Sequence, residues 1–427
     1  MKKFLAMILA LVMALSLISC GKKDEPSVYW LNFKPESNDA LQEIAKMYTD
    51  ETGIPVKVVT AASGENSRTL TAEMDKEDAP TIFVVGNAIG ANDWSDYCLD
   101  LKGTAIYNEL NTDAYNVYDA NGKLCSIGYC YECYGIIVNT KLLKDAGYEL
   151  SDISNFDGLK KVAEDITARS SELGFSAFGA AGMGGSSSWR YTGHLINLDY
   201  YYESVDDPAA WSKQPAEIKG TYMSNFKQLY DLMVNNATVD RATLSNLDDN
   251  GEAEFCEGKA VFYVNGNWEW SAIEKAGWTA DQVAMIPYYS GVAGEEKAGL
   301  NCGTENCWAI NAKASEADQK ATMDFLVWLV SDAEASAKAV ATFGVMPYKQ
   351  AVASTNPFLA DANDYANAGN YTMPWVTNFQ PNVDAYRAAA VSALNEYNAN
   401  PSNDTWAKVE AAFVAGWATQ YKAANNG

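Results

Sequence analysis

The chain carries one histidine, His194, and that scarcity removes much chemistry before any motif is sought. With a single imidazole, no HExxH helix, histidine-rich metal site or zinc-finger spacing can be written. A Ser-His-Asp triad would have to pass through His194, in Trp189-Arg190-Tyr191-Thr192-Gly193-His194, and no GxSxG elbow stands elsewhere to supply its nucleophile. The residue therefore reads as a satisfied or half-buried structural histidine. Nucleotide chemistry fares no better, because GxxxxGK[ST] is absent and the glycines of Gly179-Ala180-Ala181-Gly182-Met183-Gly184-Gly185 depart from GxGxxG spacing. Cys130-Tyr131-Glu132-Cys133 has CxxC spacing, yet Tyr134 to Val138 reads as strand where a thioredoxin-like motif needs a helix. Neither Cys125, Cys130 and Cys133 nor Cys302 and Cys307 has the histidine or acidic companions suited to a metal, so no metal or cofactor is expected.

The chain has 427 residues, long enough for two lobes, and its formal net charge of -24 would repel phosphate backbones, which argues against a nucleic-acid partner. Its first residues read as an address. Lys2 and Lys3 precede an apolar run from Phe4 to Ile18 that is too short to span a membrane. The run ends in Leu17-Ile18-Ser19-Cys20, which resembles the lipobox of bacterial lipoproteins. That likeness implies cleavage after residue 19, acylation of Cys20, and durable tethering to the outer face of a bacterial membrane through a lipid anchor. Removal of Lys2 and Lys3 takes the charge from -24 to -26. Residues 20–27 follow as a flexible polar leader. Of 8 cysteines, Cys20 is taken by lipid; the odd remainder of 7 leaves at least one unpaired. Unmatched thiols in an exported chain suit an anoxic habitat or buried small apolar positions.

The elements that must position any site alternate between strand and helix. Val28-Tyr29-Trp30-Leu31 is a strand; Ser37 is expected to cap a helix with Leu41, Ile44, Ala45 and Tyr48 on one face and Gly53 just past its end. Val56 to Val59 and Thr81 to Val85 are further strands. Loops Asn32–Asn38, Ala61–Ser67 and Gly86–Trp94 follow these strands, where parallel sheets place ligands. Helices are expected over Phe156–Glu172, Tyr222–Ala237, Glu316–Ala339, Val383–Tyr397 and Thr405–Ala423, with strands at Ala260–Val264 and Cys307–Ile310. There is no internal repeat.

Four blocks in order carry a family likeness: Val28-Tyr29-Trp30-Leu31-Asn32-Phe33-Lys34 with Tyr48 to Val58; Asp78-Ala79-Pro80-Thr81-Ile82-Phe83; Glu132 to Leu143; and Phe255 to Trp268, where F-x-x-G-K-A runs into N-G-x-W. The chain resembles the extracytoplasmic solute-binding proteins of ABC sugar importers, the group that includes maltose-binding protein, over almost all its mature length. The resemblance implies an α/β, two-lobed periplasmic-binding-protein-like fold of type II, each lobe a sheet flanked by helices, with the ligand cleft between. It divides the chain into an N lobe of residues 28–138 plus 301–344 and a C lobe of residues 139–300 plus 345–427. It also implies a carbohydrate ligand, a permease partner in the membrane, a monomer and no enzymatic activity.

A sugar presents hydroxyls to planar polar groups and C–H faces to aromatic carbon. By matching position the resemblance makes Glu132 the leading polar ligand, Trp268 the stacking platform with Asn265 and Asn267 beside it, Lys34 a first-loop ligand and Trp375 a late aromatic one. Loop composition adds Trp189, Arg190, Glu305, Asp93 beside Trp94, and Glu65. The chain departs from maltose-binding protein after the third strand, where Val85-Gly86-Asn87-Ala88-Ile89-Gly90 replaces a tryptophan and an Asp-Arg pair, so maltose itself is not implied. Two other readings stand beside this one: a receptor for a non-sugar solute, and a secreted glycoside hydrolase, which would need a carboxylate pair across a glycosidic bond.

Overall fold

The computed structural model describes residues 25–62, 65–184, 187–248 and 250–425. The signal-like segment and Cys20 lie outside the described residues. Among the described residues no helix is long and apolar enough to cross a membrane.

Two sheets organise the chain. The first joins β1 (Val28–Asn32), β2 (Val56–Thr60), β3 (Ile82–Val84), β4 (Asn116–Tyr118), β5 (Leu124–Gly128) and β11 (Cys307–Ile310) in the order β2-β1-β3-β11-β5-β4. Strands β1, β2 and β3 are parallel, with Val28 opposite Val56 and Trp30 opposite Ile82, whereas β11, β5 and β4 run antiparallel to their neighbours. The second sheet has β12 (Tyr371–Met373), β10 (Ala298–Gly303), β6 (Glu132–Asn139), β8 (Ala260–Gly266) and β7 (Ser176–Phe178) in that order, with β9 (Val283–Ile286) also on β6.

The amphipathic helices close each sheet. Asn38–Thr52 buries Leu41, Ile44, Ala45 and Tyr48 and ends at Gly53, whose φ of 75° is a conformation glycine adopts at no steric cost. Ser37 stands at its N-cap position but does not cap: its hydroxyl donates to Lys34 O at 2.8 Å, spent on the preceding loop. The stretch expected as one helix from Glu316 breaks at Asp332. There the backbone is extended and the carboxylate accepts the Glu334 and Ala335 N–H groups, so that Glu316–Ser331 and Ala333–Phe343 are separate helices.

Around the first sheet, Trp30, Tyr129, Trp308, Phe325 and Phe343 form an aromatic core, with Tyr129 stacked on Trp308 at 4.7 Å. Helices Phe156–Ala168, Met223–Asn235, Val383–Ala399 and Asn403–Asn425 pack in the core of the second. Cysteines 98, 125, 130, 133, 256, 302 and 307 are free thiols. The CxxC pair is split between cores, Cys130 packing in the first and Cys133 in the second.

Strand pairing divides the chain differently from the sequence expectation. Among the described residues β6 pairs with β10, β8 and β9, and β10 with β6 and β12, so residues 132–138 and 301–303 lie in the second sheet. Met346 and Tyr348, by contrast, pack in the first core. The chain passes between lobes at Tyr131, between Gly303 and Cys307, and between Ala351 and Phe358.

Candidate ligand-binding cleft

Between the two sheets lies a cavity of about 520 Å³, in the range of small-molecule sites. Loops following β1 and β3 meet it from the first lobe, as the carboxyl ends of parallel strands would require. The turn after β8, the segment bearing Trp189 and His194, and residues 375–387 meet it from the second.

The polar floor begins at Asn32. Its buried amide donates to Lys34 O at 2.8 Å and its carbonyl oxygen accepts Lys34 N–H at 3.1 Å, which fixes the loop carrying Lys34. The ammonium of Lys34 lies 2.7 Å from Glu132 Oε1 and 3.1 Å from Glu36 Oε1, while Glu132 Oε2 accepts from Asn306 Nδ2. Lys34 and Glu132 are buried, and they join the two lobes. Burial opposes the charge on Lys34, but Glu132 and Glu36 outweigh it and hold the ammonium above the ordinary lysine range. Burial raises the Glu132 carboxyl, with Lys34 drawing it back. A carboxylate offers about four lone-pair sites, so Glu132 retains accepting capacity beyond these two partners.

Opposite this floor stands an aromatic wall. Trp189 and Trp268 approach at 6.1 Å between ring centroids, and Trp375 lies 5.4 Å from Tyr134. Lys34 Nζ sits 5.4 Å from the Trp268 ring, within cation–π reach. Two of these rings are placed by missing atoms. A Cβ on Gly266 would come within 2.2 Å of the Trp268 indole, and one on Gly303 within 2.9 Å of Trp375. The glycine of N-G-x-W is thus the space its tryptophan occupies.

Seven of the expected residues line the cavity: Lys34, Glu132, Trp268, Trp189, Trp375, Glu305 and Asp93. Burial pushes the Asp93 carboxyl up. Trp94 lines the cavity beside it and packs on Phe83 and Tyr97.

Four expected residues stand outside the lining. Arg190 is buried behind Trp189, 4.3 Å from its ring, and bonds Val264 O, Ser187 Oγ and Tyr263 Oη, each at 3.1 Å. Asn265 donates to Tyr263 Oη at 2.6 Å within its own strand, and Asn267 accepts the Cys133 N–H at 2.8 Å, tying the turn after β8 to β6. Glu65 pairs with Arg68 at 2.7 Å just ahead of Asn66 and Ser67, which do line the cavity.

The cavity also takes in residues that sequence reasoning missed: His194, Asn87, Asn306, Gln380, Asp384 and Arg387. The signal for the last two was an Asp and an Arg three residues apart at the start of an alanine-rich helix, a pattern that equally fits a solvated face. No group of three or more His, Cys, Asp or Glu is placed to hold a metal among the described residues.

A sequence profile described as bacterial extracellular solute-binding protein matches residues 43–367. No curated protein matches the chain. Among solved structures, the solute-binding protein RafE in complex with raffinose superposes with a TM-score of 0.71 at 18% identity, over 91% of this chain and 98% of that one. A chitin oligosaccharide binding protein gives 0.69 at 16%, over 94% and 99%. A sugar transporter from Bacillus licheniformis in complex with stachyose gives 0.68 at 15%, over 92% and 100%. At these identities the likeness is one of fold, and the fold is the two-lobed one expected from the sequence.

Proposed function

The chain belongs to the bacterial extracellular solute-binding proteins, and we propose that its solute is a neutral oligosaccharide, captured outside the cell and delivered to the permease of an ABC importer. The observation that carries this reading is the cavity's division into a wall of tryptophans and a floor of charged and amide groups, the two surfaces a sugar demands. Its fold neighbours with raffinose, chitin oligosaccharide and stachyose in their names favour the same class. A ring hiding about 50 Å² of apolar surface contributes on the order of 1 kcal/mol at about 25 cal/mol/Å². A micromolar complex needs about 8 kcal/mol, so three tryptophans supply the lesser part and hydrogen bonds from both lobes the greater.

Capture then proceeds by population shift. Contacts that exist only when both lobes touch the ligand favour a closed arrangement over an open one. In this reading the protein is a monomer that performs no chemistry on the sugar, and acylated Cys20 keeps it beside the permease.

The test is thermal. Raffinose, stachyose and chitin oligosaccharides, each added to the pure protein in excess, are expected to raise its melting temperature for one class by mass action. No shift with any carbohydrate of a broad panel would sink the sugar reading, and release of shortened products would replace the receptor with a hydrolase.

A further inference from the structure

The chain's one histidine sits where a ligand would meet it. His194 lines the cavity, and its ring lies flat on Tyr134, with centroids 3.7 Å apart and planes at 1°. Trp189, Trp268 and Trp375 surround it at 4.7, 5.6 and 6.3 Å. A histidine that served only to fill this wall would have its ring nitrogens bonded or replaced by carbon. Instead His194 Nδ1 is buried without a hydrogen-bond partner, and so are Tyr134 Oη and Trp375 Nε1 in the same cluster. Leaving such groups unmet is costly, which calls for a partner from outside the chain.

The backbone that presents the ring is itself unusual. Arg190–Leu195 is a π-helical turn, with Ile196 N–H donating to Tyr191 O at 3.2 Å, five residues back. Such turns are rare and are found disproportionately at functional sites. This one turns Arg190 inward onto Val264 and Tyr263 while His194 stays on the cavity side. Its Gly193 leaves room for the Arg387 guanidinium, which would stand 3.1 Å from a Cβ there and is held by its Nε–H donating to Gln380 Oε1 at 2.8 Å.

We propose that His194 is a specificity residue of the cleft: an imidazole in the aromatic wall that exchanges hydrogen bonds with the hydroxyls of a bound sugar, beside the Arg387 guanidinium. The inference rests on the oligosaccharide reading and deepens it. Burial, with Arg190 and Arg387 nearby, holds the imidazole well below its ordinary pKa, so it offers one donor and one acceptor near neutral pH. Donor and acceptor together suit hydroxyls, which are both, and give no advantage to a carboxylate-bearing sugar. Discrimination by such a site is strong because a ligand lacking the matching hydroxyl leaves the polar groups unmet again.

The experiment compares the whole protein with His194→Phe, which keeps the ring and removes both nitrogens, and His194→Gln, which keeps a donor and an acceptor. Calorimetric titration with raffinose, stachyose and chitotriose is read beside the imidazole nitrogen resonances, which the single histidine makes unambiguous. For the sugar that binds, the expected result is a perturbed imidazole signal, a Kd raised at least tenfold in His194→Phe with melting temperature held, and partial recovery in His194→Gln. Equal affinity in wild type and His194→Phe overturns the role of His194 and leaves the sugar reading standing. Wild-type protein that binds no carbohydrate in the panel overturns both. If His194→Phe unfolds, an imidazole signal unmoved by a sugar that wild type binds is the overturning result.

Discussion

The two sides of the cleft are held in place by opposite means. On the first lobe, Lys34 is fixed by bonds: Asn32 grips its backbone twice, and Glu132 and Glu36 hold its ammonium. On the second lobe, Trp268 and Trp375 are fixed by absences, the missing side chains of Gly266 and Gly303. A polar group positioned by bonds depends on partners that are themselves buried and charged. A ring positioned by shape depends on a neighbour staying small. The two walls should therefore fail differently, one through electrostatics and the other through sterics.

Lys34→Met should have the largest effect. It strands Glu132 in a buried site, and removal of one partner from such a pair costs about 3–5 kcal/mol, read as a lower midpoint in denaturant titration. Lys34→Met with Glu132→Gln should recover much of that loss, and a double variant no more stable than the single one would break the electrostatic account of the floor. Trp268→Ala comes next, weakening sugar binding about tenfold with the fold kept. Gly266→Ala should reproduce that loss with the tryptophan still present, because the ring must move off a Cβ 2.2 Å away. Full affinity in Gly266→Ala would show that shape does not hold the ring.

The second lobe should also respond to pH. Asp199, wholly buried in the second lobe, has its carboxyl pushed up to about 8 by burial and then by Glu203, and Asp361, also in that lobe, rises to about 6 by burial. A folded-state pKa above the unfolded one means the native form holds its proton longer. Stability from these groups is therefore greatest below about pH 4 and declines as pH rises to about 8, by on the order of 1 kcal/mol per unit for Asp199. Asp199→Asn should flatten that slope in melting curves taken from pH 5 to 8, and an unchanged slope would contradict the assignment. The smallest effect is expected from Glu65→Ala, which removes an exposed pair with Arg68 and should leave affinity within about twofold.

What the sequence made legible follows from where the physics is local. Helical spacing in Leu41, Ile44, Ala45 and Tyr48 and the stop at Gly53 are set within a dozen residues, and they stand as read. Trp268 was legible from its match to the family's N-G-x-W, and it lines the cavity; that Gly266 makes the room for its ring is visible only in the packing. The break at Asp332 was less visible, since apolar spacing continues on both sides and only the capping bonds reveal it. The lobe division was hidden in β6, whose eight residues are all buried and carry no alternation to say which sheet they join. Arg190 read as a loop cation beside a tryptophan, whereas two distant acceptors, Val264 O and Tyr263 Oη, help draw it inside. His194, Asp384 and Arg387 reach the cavity only through the packing of separate elements, which no spacing records.

The passage at Tyr131 is a single residue between Cys130, packed in one core, and β6, which begins at Glu132 and carries Cys133 into the other; two further crossings lie at residues 304–306 and 352–357. Three short straps fastening the same pair of bodies leave little freedom to slide or shear. Such fastening would favour rotation about the crossings over sliding. A protein so constrained would meet its ligand as a jaw does, with every contact across the cleft made or lost in one concerted swing.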